Sequence, residues 1–461
     1  MSAFDIDEAS IRDSLAAGGE PDAARVREIL AKGREMKGLD ANEIVPLMAA
    51  ADPELVCELF ETARYVKDSI YGRRLVIFAP LYVSNLCANE CLYCAFRVRN
   101  KEIVRRALTQ DEIARETRVL IDQGHKRLLL VAGEAYPKGG LQYILDAIET
   151  VYSVKHHNGE IRRVNVNIAP LSTEEFALLK GARIGTYQCF QETYHHETYA
   201  QVHVSGKKAD YRWRLEAVDR AMTAGIDDCG IGALFGLADW RFEMLALMQH
   251  VRHLEATFGV GPHTISVPRI EPATGSEMAA APPSPVDDLS FRKIVAILRI
   301  AVPYTGIIMS TRESAEMRHA TFALGVSQIS GGSRTNPGGY AETARDEASQ
   351  FSLGDHRCLD EVVCDVARLG YVPSFCTACY RLGRTGADFM DLARPGDIKK
   401  HCDPNAASTF AEYLMDYGSN EARDIGERAI EVAISGMDET PARHSRVMVA
   451  TVRQGKRDVY R

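Results

Sequence analysis

Short apolar runs alternate along the chain with amphipathic segments of helical period. Residues 75–83 (LVIFAPLYV) form a continuous apolar run of the kind expected for a strand covered on both faces. Similar runs fall at 127–132, 164–168, 186–190, 230–235, 264–269, 306–310 and 326–329. Helices are expected between them at 109–123, 141–154, 172–183, 211–223, 240–258, 291–302 and 313–324. Two of these open on capping boxes, Thr109 with Glu112 and Ser172 with Glu175. Eight strand–helix units are what a (β/α)8 TIM-type barrel of the α/β class requires.

Upstream, residues 23–30 and 54–66 repeat apolar positions at helical spacing, so residues 1–70 are expected to form a helical cap. Downstream, the polar, glycine-rich stretch 331–339 and the charged stretch 343–354 read as the exit from the barrel. The expected organisation is therefore a cap (1–70), a barrel (71–340) and a smaller, mainly helical module (341–461).

Composition narrows the setting. The chain has 461 residues, 46% hydrophobic and 26% charged, enough for a large core. It carries no run of 18 apolar residues, and its acidic N-terminus lacks a signal-peptide core, so a cytoplasmic protein without a membrane span is expected. A net charge of -8 offers no basic footprint for nucleic acid. Eleven cysteines without a secretion signal point to metal ligation in preference to disulfides. Five of them, Cys57, Cys189, Cys229, Cys358 and Cys364, are expected to be buried small hydrophobes.

The other six fall into two groups. Cys87, Cys91 and Cys94 follow a C-x3-C-x2-C spacing directly after the first strand, with Tyr93 beside the last thiol. Three thiolates on one loop suit a 4Fe-4S cluster with one iron left open for a cofactor. A structural zinc site would need a fourth ligand, and none lies near in sequence. Cys376, Cys379 and Cys402 form a C-x2-C-x22-C set, read as a second 4Fe-4S cluster. The alternative there is zinc completed by His401, whose neighbours Lys399 and Lys400 could attract anions or simply face solvent.

In a barrel, functional groups gather at strand C-termini. Gly133 and Glu134 end the second strand, Glu192 the fourth, Arg312 the seventh, and Ser330 and Ser333 the eighth. Each has a plainer reading: Glu134 and Glu192 as solvated loop charges, and Arg312 paired with Glu313 or Glu316. A guanidinium at Arg312 is suited to a bidentate grip on a carboxylate. Gly230 and Gly232 admit a close approach, either by a ligand or by a neighbouring strand.

The C-x3-C-x-aromatic-C loop resembles the signature of the radical S-adenosylmethionine (SAM) enzymes. Four stretches carry a narrower resemblance: 79–87 (APLYVSNLC), 261–269 (GPHTISVPR), the C-x2-C-x22-C set and 379–386 (CYRLGRTG). Together they resemble the tyrosine lyases that mature FeFe-hydrogenase, over residues 40–440. That resemblance implies binding of SAM at the first cluster, with Gly133 and Glu134 similar to the Gly-Gly-Glu type motif that contacts it; Tyr93 and Glu192, from their places on the loop and at a strand end, are the other candidate contacts. It implies cleavage of L-tyrosine to p-cresol and dehydroglycine, with Arg312 as the clamp on the tyrosine carboxylate; Ser330, from its place at the end of the eighth strand, is a candidate for an added hydrogen bond at the substrate. Carbon monoxide and cyanide would then collect on an additional iron at the second cluster, bridged by free L-cysteine and ligated by His263. An electron donor such as a ferredoxin or flavodoxin and other hydrogenase maturation proteins are the implied partners. The rival within the superfamily is the tyrosine lyase of thiazole biosynthesis, which releases dehydroglycine. A rival of another class is a non-catalytic iron-sulfur carrier.

Overall fold

The computed structural model describes residues 4–19, 21–342 and 348–461; part of the expected barrel exit, 343–347, lies outside them. Eight parallel strands close into a barrel: β1 (Arg74–Ser84), β2 (Arg127–Ala132), β3 (Arg163–Asn167), β4 (Tyr187–Gln188), β5 (Cys229–Gly232), β6 (Thr264–Ser266), β7 (Gly306–Met309) and β8 (Val326–Ser330). Pairing of Val76 with Gln328 and of Phe78 with Ser330 joins β8 back to β1. Every residue of β1 is buried, as both faces of a parallel strand must be when helices cover the outside. Both expected capping boxes form, Thr109 on Gln110–Asp122 and Ser172 on Thr173–Gly181.

Among the described residues, four helices between Glu8 and Tyr71 precede the barrel. The longest, Pro53–Tyr71, packs on Asp288–Ala301 of the barrel wall. Past β8 the chain runs through helix Leu359–Arg368 into a ninth strand, β9 (Val372–Ser374), which the sequence pattern does not predict. Val76 pairs with β8 on one edge and with Ser374 of β9 on the other. β9 therefore occupies the edge of β1 that β2 takes up only from Ala79 onward. This three-residue insertion pins the C-terminal helices to the N-terminal mouth of the barrel.

Three of the five scattered cysteines are buried, Cys189, Cys229 and Cys364. Cys57 and Cys358 correct the expectation of burial and are exposed. Cys57 lies on the solvent stripe of Pro53–Tyr71, and Cys358 sits at the N-cap of Leu359–Arg368.

Candidate active site

β1 runs straight into the first cysteine loop. Asn85, fully buried, ties it down, donating from Nδ2 to the Val104 carbonyl (2.7 Å) and accepting from the Arg106 amide (2.6 Å). Gly133 packs against it backbone to backbone. A Cβ there would lie 2.2 Å from the Leu86 carbonyl oxygen, so only glycine fits. Cys87, Cys91 and Cys94 all line a cavity of about 190 Å3 at the C-terminal mouth of the barrel. The Cys94 sulfur accepts from the Phe96 amide (3.4 Å) and from Gln350 Nε2 (3.7 Å).

Burial pushes all three thiols up, Cys94 to about 11 and Cys91 further. A bound cation reverses that cost, because it takes the thiolate as its ligand. Among the described residues, the only His, Cys, Asp and Glu groups of three gathered within 4.8 Å are Asp122, His156 and His157. Neither cysteine triad is therefore drawn together as around one zinc, where tetrahedral thiolates stand roughly 3.8 Å apart.

Opposite the loop lies a buried network of four charges. Glu134 accepts from Asn89 Nδ2 (2.7 Å) and Arg214 Nη1 (2.8 Å), and Glu192 accepts from Lys208 Nζ (2.7 Å). Burial lifts the Glu134 carboxyl, but Arg214 and Lys208 outweigh it and hold it below its usual value. All four line the cavity, so the reading of Glu134 and Glu192 as free solvated charges does not hold. Tyr93 is buried beside them, its hydroxyl 2.9 Å from His203 Nε2. Asn89, Lys208 and Arg214 escaped the sequence reading: Lys208 sits on a three-residue turn, Lys207–Ala209, which no periodicity marks.

Arg312 reaches the same cavity from the end of β7. Its neighbour Glu313 is taken by Arg269, Nε to Oε1 at 2.9 Å, so the expected pairing with Glu313 is absent. The guanidinium stacks 3.2 Å from the Phe351 ring centroid and has no carboxylate partner among the described residues. Burial pulls its pKa down, the signature of a cation held without adequate solvation. The Ser330 hydroxyl accepts from the Thr311 amide (3.0 Å), bracing the loop that carries Arg312. Ser333 is buried but does not line the cavity. Gly230 and Gly232 serve the neighbouring strand: a Cβ at either would strike Thr264 Oγ1 (2.4 Å) or the Ser266 carbonyl (2.7 Å).

β9 delivers the second cysteine set to the other mouth. Cys376, Cys379, Cys402 and His263 line a cavity of about 60 Å3. Inward residues of the two cavities are two apart on four strands: Val76 and Phe78, Arg127 and Leu129, Gly306 and Ile308, Gln328 and Ser330. Two strand residues span about 7 Å, so the cavities fill successive layers of one lumen. The Cys379–Cys402 hydrogen bond lowers Cys402 and, with burial, raises Cys379; burial raises Cys376. The His263 imidazole lies 3.4 Å from the Tyr380 hydroxyl and 3.5 Å from Asp228 Oδ1, and burial holds it neutral, as a metal ligand must be. His401 is half-buried and does not line this cavity; Lys400 pairs with Asp397 (2.7 Å), and Lys399 donates to the Asp68 carbonyl.

Residues 81–247 match the radical SAM superfamily, and residues 266–372 match the biotin and thiamin synthesis associated domain. The chain is 34% identical to a 2-iminoacetate synthase of Escherichia coli (strain K12), over 73% of this chain and 86% of that one. A solved structure of HydG, a maturase of the FeFe-hydrogenase, superposes with a TM-score of 0.95 at 46% identity over 99% of both chains. The chain belongs to the HydG family of radical SAM proteins. HydG from Carboxydothermus hydrogenoformans is 41% identical, with a TM-score of 0.84 over 96% of this chain and 97% of that one. The radical SAM domain implies a 4Fe-4S cluster and SAM, and the first cysteine loop is of a kind to hold them. The match to HydG extends through the helices that carry the second cysteine set.

Proposed function

We propose that this protein cleaves L-tyrosine to p-cresol and dehydroglycine. The dehydroglycine would then yield carbon monoxide and cyanide, assembled on iron as a synthon for the FeFe-hydrogenase active site. The observation that carries this reading is Arg312, a half-buried guanidinium that has no carboxylate partner among the described residues and faces the cavity of the first cysteine loop. Cys87, Cys91 and Cys94 would hold one 4Fe-4S cluster, with Tyr93, Gly133, Glu134 and Glu192 around SAM. When bound, the cluster and SAM supply a 5'-deoxyadenosyl radical.

The chain's own part is to bind, orient and exclude water. Arg312 grips the carboxylate of tyrosine and leaves its amine free, while Ser330 holds the Arg312 loop in place. Dehydroglycine is an imine and hydrolyses in water, so a lumen whose second cavity lies one layer below the first protects it in transit. Cys376, Cys379 and Cys402 would hold the second cluster, and His263 the additional iron with its free L-cysteine. The setting would be the cytoplasm, with a ferredoxin or flavodoxin as reductant and other maturation proteins as recipients. In this reading residues 1–70, 71–340 and 341–461 act as cap, lyase barrel and assembly module.

One observation favours a second reading. The 34% identical relative is named a 2-iminoacetate synthase, and 2-iminoacetate is dehydroglycine. A thiazole-type lyase would release that product and have no use for the lower cysteines. The double variant Cys376→Ala/Cys379→Ala separates the two. It should still form p-cresol while cyanide-bearing iron product disappears; full product formation by the variant would favour the thiazole-type reading.

A further inference from the structure

The His156–His157 turn lies apart from both cysteine sets. Strands Lys155–His156 and Gly159–Glu160 form a small hairpin between helix Leu141–Ser153 and β3. Adjacent strand residues ordinarily point to opposite faces. Here His157 adopts φ 50°, in the left-handed region, which breaks that alternation and brings the two imidazoles together with ring centroids 4.2 Å apart. Asp122, the last residue of helix Gln110–Asp122, meets them, with Oδ1 2.7 Å from His156 Nδ1. One ligand atom from each of the three residues lies within 4.8 Å of the other two.

The surroundings favour positive charge. A helix C-terminus carries partial negative charge on its unpaired carbonyls, and a carboxylate there compounds it. Burial first, then the carboxylates of Asp416, Glu412 and Asp122, push the neighbouring Tyr417 hydroxyl up to about 12. The hairpin is also held firmly: Gly159 packs so closely on Ile121 and Tyr417 that a Cβ would lie 2.4 Å and 2.5 Å from their side chains. Asn158 donates to Asp416 on the helix that carries Cys402.

We infer that Asp122, His156 and His157 form a surface site for a divalent first-row transition-metal ion. Two imidazoles and one carboxylate make a borderline N2O donor set that suits zinc or ferrous iron over calcium or magnesium. Three protein ligands leave a coordination position open, and here it faces solvent. The site is separate from both cysteine triads and does not depend on the proposed reaction.

Tag-free protein, anaerobically reconstituted so that its cysteines are occupied, can be titrated with zinc chloride by calorimetry. One zinc equivalent is expected, weakened at least tenfold by His156→Ala, His157→Ala or Asp122→Asn and abolished in the double histidine variant. Circular dichroism and thermal unfolding of each variant, followed as a control for folding, should match the unsubstituted protein. Zinc-edge anomalous scattering from crystals of the unsubstituted protein should place the ion between these three side chains. No zinc equivalent, an equivalent unchanged in the double variant, or an anomalous peak elsewhere overturns the inference.

Discussion

In the proposed reaction, Arg312 is the residue on which substrate recognition would turn. Hydrogen bonds to charged groups contribute roughly 1.5–3 kcal/mol each, so Arg312→Gln should raise the KM for tyrosine about ten- to hundredfold. Reductive SAM cleavage without tyrosine should persist, because the variant leaves the cysteine loop and the Glu134 network untouched. Arg312→Lys should recover only part of the loss, since an ammonium lacks the planar fork. Steady-state p-cresol formation against tyrosine concentration checks both.

A second residue carries a pH signature. Burial pushes Glu243 up to about 7, although Thr193 and the Tyr194 amide both donate to it. A carboxyl whose folded pKa is raised adds stability below its unfolded value near 4.5 and loses it as pH rises through 7. At about 1.4 kcal/mol per pH unit, that loss amounts to roughly 3 kcal/mol. Glu243→Gln cannot ionise, so unsubstituted protein should lose Tm relative to the variant between pH 5 and pH 8; a pH-independent difference would contradict this.

At the scale of elements, β9 is the piece that makes the molecule more than a barrel. Val372→Asp puts a carboxylate into a buried strand against β1, at a cost of several kcal/mol. The C-terminal helices should then detach: limited proteolysis after residue 370 should accelerate and iron should be lost from the second cysteine set, with p-cresol formation largely kept. Retention of both clusters and unchanged proteolysis would show that the insertion is not the anchor.

The same strand shows where sequence patterns stop being readable. Buried parallel strands announce themselves as apolar runs and long amphipathic helices by their period: the strand at 127–132 and the helix at 240–258 are expected and found with the same bounds. β9 has three residues and contains Pro373, tolerated because β9 is an edge strand, so it reads as loop. The helix expected at 211–223 is two, Tyr211–Leu215 and Ala217–Thr223, and Arg220 Nη2 donates to the Trp213 carbonyl at the break. The six clustered cysteines are legible because thiol spacing is a local property. Lys208 and Arg214 are not, because their meeting with Glu134 and Glu192 is made by tertiary packing alone.

Across the whole molecule, one lumen joins two thiol sets at opposite mouths. The N-terminal mouth of a TIM barrel ordinarily serves stability, with chemistry confined to the other face. Here β9 leads Cys376 and Cys379 to that lower mouth, where the neutral His263 stands at the start of β6, and the inward side chains of the two cavities are one pleat apart. Such an arrangement suits a short-lived fragment made at one end and consumed at the other. It gives little advantage to a protein that only carries iron.

The proposal that this cavity cleaves tyrosine is decided by p-cresol formation. Protein reconstituted anaerobically with iron and sulfide should be incubated with SAM, dithionite and L-tyrosine, and the mixture assayed for p-cresol. The expected result is p-cresol that depends on SAM and tyrosine and vanishes in Cys87→Ala. A fully reconstituted protein that cleaves SAM but forms no p-cresol would contradict it.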